Sequence, residues 1–322
     1  MKTWMTSFAA LSLGAVVALS GCNGSDNKEG SAAAVDHAET AGTNKAPDSE
    51  QKHSKTGEGQ HGPNDSNGSS HSHGATAQGH HASSGQQLIN QPFSLSQVDG
   101  VVASTSLTAV IAQAAGAKKV TYIAPIELRH PPEYDYRPSD VAKVKNSYIV
   151  YLGYEPFMSK LMEASREAQD RAATIEIDNT PEGYKAATRK LAEIWGTQAE
   201  QTQWQAEFDK IVEEVEQSAK QLQVSKKKVI SQVYMTPFVK WLGYEVIGEF
   251  GPDELTPTQL AKLAALKPDL IVDNLHMPQG QGFLEMSKDI KRVELRSYPD
   301  SSLKTIQAIL TYNASQLGIT SK

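Results

Sequence analysis

This 322-residue chain has a single cysteine and no excess of basic residues. Its single cysteine, Cys22, can form neither an internal disulfide nor a cysteine-based zinc site. With 31 Lys and Arg against 37 Asp and Glu, the formal charge is -6, which gives no support for binding the phosphate backbone of nucleic acid. We therefore exclude a disulfide framework and expect no nucleic-acid partner.

Long apolar runs are also missing, apart from residues 8–19 near the amino terminus. This run follows the positive charge of Lys2 and has the length of a signal-peptide core, whereas a transmembrane helix needs roughly 20 apolar residues. It ends in Leu-Ser-Gly-Cys, which resembles a bacterial lipobox. We predict a lipoprotein signal peptide over 1–21 and lipidation of Cys22, which would anchor an extracytoplasmic protein to a bacterial membrane, at the periplasmic face or the outer cell surface. A conventional signal peptide that ends near a cysteine is the alternative.

The segment 23–87 has no aromatic residue and only one large aliphatic side chain, Val35. Such a segment buries too little apolar surface to offset its ordering entropy, so we predict that residues 22–87 are a lipidated cysteine followed by a disordered tether. Seven of the nine histidines of the chain lie in this tether. The pattern indicates weak accessory metal binding, chiefly at His61, His71, His73, His80 and His81. Alternatively, the histidines contact acidic surfaces at low pH, or they are chance substitutions in a polar linker.

From residue 88 onward, short apolar runs alternate with amphipathic stretches, a pattern typical of α/β proteins. We predict two (β/α) lobes with mainly parallel sheets, joined by one long rigid helix, with a metal cleft between the lobes. The predicted boundaries are 88–197 for the first lobe, 198–223 for the helix and 224–322 for the second lobe. Strands are expected at 101–104, 120–123, 147–151, 174–177, 229–234, 245–247, 270–273 and 292–295, and a closing helix at 302–317. Two further helices are expected to start at the Thr-Pro pairs Thr180-Pro181 and Thr256-Pro257.

Only two histidines, His130 and His276, lie outside the tether. Each follows a predicted strand, one in each half of the chain, which is the placement that an ion bound in a cleft between lobes requires. A single loop histidine is more often a solvated side chain than a ligand, so the prediction depends on the pair. The carboxylates nearest in sequence to the predicted strand ends are Glu133, Asp273 and Asp300.

Several segments together resemble one transporter family. They are His130 followed by Pro-Ser-Asp at 138–140, the strand that leads into Gly-Tyr-Glu at 153–155, and Leu-Lys-Pro-Asp-Leu-Ile-Val at 266–272. In this order they resemble the zinc and manganese solute-binding proteins of ABC transporters, the TroA-like or ZnuA-like family of cluster A-I. The resemblance implies a monomeric binding protein, not an enzyme, that delivers Zn²⁺ or Mn²⁺ to a membrane permease and its ATPase.

The chain departs from that family at the metal site. Typical members bring three histidines and a carboxylate to the ion, but Asn179 and Gln232 stand near the positions of the second and third histidine. The resemblance therefore implies a variant site. We predict His130, His276, Glu133, Asp273 and Asp300 as ligands. Further ligands, or residues that support the ligands, are predicted to be Tyr234, Gln232, Asn179 and Glu155. Two imidazoles favour Zn²⁺ over Mn²⁺.

Other functions remain open at this point. A zinc chaperone or adhesin would use the same fold without a permease. A binding protein for a siderophore or corrinoid would have an open, aromatic-lined cleft, and it would leave the tether histidines unexplained. A zinc-dependent hydrolase needs clustered ligands and a base. The sequence contains no Gly-x-Ser-x-Gly elbow, P-loop or His-Glu-x-x-His motif, so we predict that the protein is not an enzyme.

Overall fold

The computed structural model describes residues 92–287 and 289–320. The predicted signal peptide, the lipidated Cys22 and the histidine-rich tether lie outside these residues. Within the described ranges, no helix is both long and apolar enough to cross a membrane.

The first sheet has four parallel strands in the order β2-β1-β3-β4. Val101 of β1 pairs with Val120 of β2 on one side and with Tyr148 of β3 on the other. The central strands are apolar and almost fully buried, as expected where helices cover both faces of a parallel sheet. The strands are β1 (Val101–Ala103), β2 (Val120–Tyr122), β3 (Tyr148–Leu152) and β4 (Ala172–Ile175).

The second sheet repeats this arrangement, with four parallel strands in the order β6-β5-β7-β8. Its central strand β7 is buried along its whole length. Parallel neighbours need crossover connections, and helices supply most of them in both sheets. The strands are β5 (Lys228–Gln232), β6 (Glu245–Phe250), β7 (Leu270–Asn274) and β8 (Lys291–Leu295).

Two of the helices begin at Thr-Pro pairs whose threonine side chains cap them. The Thr180 hydroxyl accepts a hydrogen bond from the Gly183 N–H, and Thr256 forms a capping box with Gln259, so both predicted Thr-Pro helix starts are confirmed. The helices are α1 (Ser106–Ala114), α2 (Pro138–Val144), α3 (Pro156–Ala164), α4 (Pro181–Trp195), α5 (Gln198–Gln221), α6 (Thr236–Trp241), α7 (Pro257–Ala264), α8 (Gln281–Met286) and α9 (Ile306–Gln316).

Helix α5 connects the two sheets. It packs against α1 and α4 on the side of the first sheet and against α9 on the side of the second. Its buried stripe, which includes Phe208, Val212 and Val215, belongs to one hydrophobic core with residues of both lobes. The predicted two-lobe α/β fold with parallel sheets is therefore confirmed.

Three predicted element boundaries are corrected. Strand β4 ends at Ile175, because its partner β3 ends at the paired residue Leu152. Strand β5 ends at Gln232, whose side-chain carbonyl accepts a hydrogen bond from the Tyr234 N–H at 2.8 Å and starts a turn. The last helix begins at Ile306 rather than residue 302, because the Asp300 carboxylate accepts hydrogen bonds from the N–H groups of residues 302 and 303 and holds a turn there.

We expect Phe208→Ala in α5 to lower the free energy of unfolding by about 3 to 5 kcal/mol, because this side chain is fully buried and stacks on Trp204 at a centroid distance of 4.9 Å. Urea denaturation followed by circular dichroism measures the change. Glu207→Ala, an exposed neighbour on the same helix, is the control and should change stability by less than about 0.5 kcal/mol. A loss below about 1 kcal/mol for Phe208→Ala would contradict the assigned packing.

Candidate metal-binding cleft

A cleft of about 870 Å³ lies where the carboxyl ends of strands from both sheets meet. Each of its walls is built from segments that directly follow a strand, as expected for ligand sites in open parallel sheets. The first lobe contributes segments after β2, β3 and β4, and the second lobe contributes segments after β5, β7 and β8. The polar or charged lining residues are His130, Glu133, Asp135, Lys160, Asp178, Asn179, Asn274, His276 and Ser297, together with four tyrosines.

The two predicted histidine ligands line the same cleft from opposite lobes. The His276 ring contacts the first lobe directly, because its Nδ1 lies 2.9 Å from the carbonyl oxygen of Arg129. Arg129 is the residue before His130, so this hydrogen bond brings the two histidine segments together across the cleft. The structure therefore brings His130 and His276 into one cleft.

The hydrogen bonds of His276 determine which ring nitrogen can bind a metal. The Arg129 carbonyl can only accept, so Nδ1 carries the proton and Nε2 keeps its lone pair. Nε2 accepts only a long contact from the Tyr298 N–H at 3.4 Å. Burial lowers the pKa of His276, and the nearby charges of Arg296 and His130 act in the same direction, which favours the neutral ring. This is the arrangement of a metal-binding imidazole whose second nitrogen is held by a backbone carbonyl.

His130 lies at the start of a short 3-10 turn that ends at Glu133. Its Nδ1 is 3.1 Å from the Glu133 carboxylate, whose side chain is 76% exposed. Nε2 of His130 makes no hydrogen bond within the described part of the chain. Across residues 92–320, apart from residue 288, no three His, Cys, Asp or Glu side chains are grouped closely enough to hold a metal ion. The described protein residues thus offer two imidazoles and no complete ligand set.

Asp273 does not line the cleft, which corrects its assignment as a ligand. Its carboxylate is fully buried and accepts hydrogen bonds from the Arg292 side chain at 2.6 and 2.9 Å. It also accepts bonds from the backbone N–H groups of Asn274, Gln279 and Gly280. With its oxygens fully used, Asp273 holds the loop after β7 in place instead of binding an ion.

Asp300 is likewise absent from the cleft lining, so its assignment as a ligand is also corrected. It pairs with Arg296 at 2.9 Å and accepts bonds from the Ser302 hydroxyl and from the backbone after it. Burial alone would raise the pKa of Asp300, but these hydrogen bonds and the Arg296 charge outweigh burial and lower the pKa. Asp300 therefore stabilises the turn that leads into α9.

Aromatic side chains form much of the remaining wall. Tyr134, Tyr154, Phe157, Tyr234 and Tyr298 all line the cleft. The hydroxyl groups of Tyr154 and Tyr298, which belong to different lobes, lie 3.3 Å apart. Burial raises the pKa of both hydroxyls, so they are neutral hydrogen-bonding groups at ordinary pH.

Comparison with solved structures identifies the architecture. The periplasmic zinc-binding protein TroA from Treponema pallidum aligns with a TM-score of 0.53 and 16% identity, over 67% of this chain and 96% of that chain. The described part of the chain has the TroA-like fold. The Pseudomonas aeruginosa solute-binding protein FpvC, in complex with Mn²⁺, aligns with a TM-score of 0.54 and 15% identity, over 67% of this chain and 95% of that chain.

A third solved structure of the same TroA-like fold is AdcAII from Streptococcus pneumoniae, at a TM-score of 0.52 and 11% identity, over 68% of this chain and 98% of that chain. No protein-family model matches the sequence, and no curated protein matches it. At these identities the likeness establishes the fold, and the chemistry of the cleft has to be argued from its own residues.

The further residues that the sequence predicted for this TroA-like cleft divide into two groups. Tyr234 and Asn179 line the cleft, and Asn179 holds a left-handed backbone with φ 62°. Gln232 does not line it; its side chain is buried and accepts from the Tyr234 N–H. Gln232 therefore shapes the turn that presents Tyr234.

Glu155 is also outside the cleft lining, buried at the start of α3. One carboxylate oxygen accepts from the Leu152 N–H at 2.8 Å, and the other has no hydrogen-bond partner within the described residues. Burial raises the pKa of Glu155 to about 7, although the Leu152 N–H and the nearby Ser104 hydroxyl act in the opposite direction. Glu155 supports the loop that carries Tyr154.

Sequence reasoning missed several cleft residues because it looked for metal ligands and their supporting residues near the two histidines and the family's ligand positions. Tyr154, Asn274 and Tyr298 lie at or just after the ends of β3, β7 and β8. Ser297, which also lines the cleft, accepts a hydrogen bond from the Asn274 side-chain amide at 3.1 Å. Their positions in the sequence could have revealed them, because ligands of open parallel sheets bind outside the carboxyl ends of the strands.

We expect the contribution of Glu155 to stability to fall as pH rises from about 4.5 to about 7, because the folded protein keeps the Glu155 proton over this range while the unfolded chain loses it. Glu155→Gln should flatten this slope, with a difference on the order of 3 kcal/mol at most between the two ends. Urea denaturation at each pH measures the slope. Glu163→Gln, an exposed glutamate of α3, is the control and should leave it unchanged. An unchanged slope in Glu155→Gln would show that this carboxyl titrates normally.

Proposed function

We propose that this protein is the extracytoplasmic, lipid-anchored binding component of an ABC importer, which captures a divalent metal ion and delivers it to a membrane permease and its ATPase. The observation that carries the proposal is the convergence of His130 and His276, from opposite lobes, on one cleft. The structural neighbours support it, since one is a zinc-binding protein and others are bound to Mn²⁺ or Cd²⁺.

Zn²⁺ is the proposed ion. Neutral imidazoles are good ligands for Zn²⁺, and affinity for a nitrogen site rises from Mn²⁺ to Zn²⁺. The long contact on Nε2 of His276 is the one that an ion would replace, while the hydrogen bond from Nδ1 to the Arg129 carbonyl would stay in place. Glu133, exposed beside His130, is the carboxylate positioned to assist.

The amino-terminal part of the chain has a supporting role in this proposal. Cys22 carries the lipid, and the following segment separates the folded lobes from the membrane. His61, His71, His73, His80 and His81 would bind Zn²⁺ weakly and exchangeably, as the histidine-rich composition of their segment predicts. They would raise the zinc concentration near the cleft. The folded protein acts as a monomer and carries out binding rather than catalysis.

Calorimetric titration tests the central site. The probe protein is the full chain with its seven histidines at 37–81 replaced by Asn, so that only cleft binding is measured. We expect Zn²⁺ to bind tighter than about 10 μM, roughly 7 kcal/mol, and more tightly than Mn²⁺. His130→Ala with His276→Ala should weaken Zn²⁺ binding at least tenfold, about 1.4 kcal/mol.

Arg129→Ala is the matched control, because it removes a neighbouring side chain but keeps the carbonyl that holds His276. It should not weaken Zn²⁺ binding. Absence of any divalent-ion binding tighter than about 10 μM would contradict the proposed function. Equal binding by the parent protein and the double histidine variant would contradict the ligand assignment alone.

A further inference from the structure

The cleft is much larger than a bare ion needs. A water molecule takes about 30 Å³ of liquid volume, and a metal ion with its directly bound atoms fills only a few such volumes. The cleft volume of about 870 Å³ lies in the range of pockets that hold small organic molecules, about 300 to 1,000 Å³.

The described protein residues also supply too few ligands for a bare ion. Four-coordinate zinc needs four donors, whereas His130 and His276 are the imidazoles available and no group of three ionisable ligands exists within residues 92–287 and 289–320. The two carboxylates that sequence reasoning assigned, Asp273 and Asp300, are used elsewhere in the fold. Some donors must therefore come with the ligand or from water.

The chemistry of the walls indicates what else enters. Tyr154 and Tyr234 present ring surface to the cleft and are 59% and 49% exposed. Exposed aromatic rings contribute nothing to a bare ion's coordination shell but stack well on a second ring. The hydroxyls of Tyr154 and Tyr298 and the Asn274 amide are neutral groups that can orient such a molecule.

The charges of the lining favour a cationic complex. Three carboxylates, Glu133, Asp135 and Asp178, line the cleft with a single lysine, Lys160. A free anionic chelator would meet repulsion here, whereas a complex that keeps the positive charge of its metal would be attracted.

We propose that the cargo is a divalent metal ion held by a small organic chelator that contains an aromatic or heteroaromatic ring, with His130 and His276 filling coordination positions that the chelator leaves open. The inference rests on the proposed function and specifies its substrate class. The tyrosines stack on the chelator, and the two imidazoles recognise the metal, so neither component alone makes all the contacts.

Calorimetric titration with a model metal–chelator complex tests the proposed cargo. The protein is the full chain with its seven histidines at 37–81 replaced by Asn, and the probes are Zn²⁺ alone, terpyridine alone and the 1:1 zinc–terpyridine complex. Terpyridine is a planar aromatic chelator that leaves coordination positions open on zinc. We expect the complex to bind at least tenfold tighter than either component.

Two variants separate the contacts made with the chelator from those made with the metal. Tyr154→Ala should weaken binding of the complex about tenfold while leaving Zn²⁺ alone within about twofold, whereas His130→Ala with His276→Ala should weaken both. Tyr122→Ala, an exposed tyrosine outside the cleft lining, is the matched control and should change neither. Tyr154 is exposed, so its replacement should preserve folding, which circular dichroism checks.

The possible failures are distinguishable. If Zn²⁺ alone binds as tightly as the complex and Tyr154→Ala has no effect, the inference is overturned while the proposed metal capture stands. If terpyridine alone binds as tightly as the complex, the cleft recognises the organic molecule without its metal and the inference is overturned, while the proposed metal capture is decided by the titration with Zn²⁺ alone. If neither Zn²⁺ nor the complex binds, the proposed function fails, and the inference fails with it.

Discussion

Parallel strand pairing is the constraint on which the rest of this structure depends. Each strand must return through a crossover before its parallel neighbour can form, so all carboxyl ends of a sheet lie at one edge. Two such sheets are present, and the segments that follow their strands meet in one cleft. His130, Tyr154, His276 and Tyr298 are far apart in sequence, and the topology alone places them around the same volume.

Contacts of different kinds link the two lobes. Helix α5 shares a hydrophobic core with both lobes. Within the cleft, the His276 ring donates to the Arg129 carbonyl, and the Tyr154 hydroxyl meets the Tyr298 hydroxyl. A ligand on Nε2 of His276 thus acts on a side chain that already contacts the opposite lobe. His276 is therefore involved both in the proposed ligand binding and in the contact between the two lobes.

Much of the fold follows from local patterns in the sequence. Short apolar runs predicted all eight strands to within a few residues, and Thr-Pro pairs predicted the starts of α4 and α7. The misplaced boundaries depend on side-chain bonds, such as those of Gln232 and Asp300, that no periodicity reveals. Local pattern reports which residues are buried, but it does not report which backbone group a polar side chain will bind.

The site was less predictable for the same reason. His130 and His276 were placed correctly because they follow strands in opposite lobes. Asp273 lies near the carboxyl end of strand β7, but it pairs with Arg292, a partner that the adjacent strand β8 brings close. The aromatic wall escaped prediction because Tyr154 and Tyr298 were not examined as ligand contacts, and the breadth of the cleft is a property of the assembled lobes.

The most direct test of the central claim is X-ray absorption spectroscopy of the zinc-loaded full chain in which the seven histidines at 37–81 are replaced by Asn. If one zinc ion joins the two lobes through His130 and His276, the spectrum will show scattering from two imidazoles and lighter oxygen or nitrogen donors at about 2.0 to 2.2 Å. A spectrum without imidazole scattering, unchanged when both histidines are replaced by alanine, would contradict the claim.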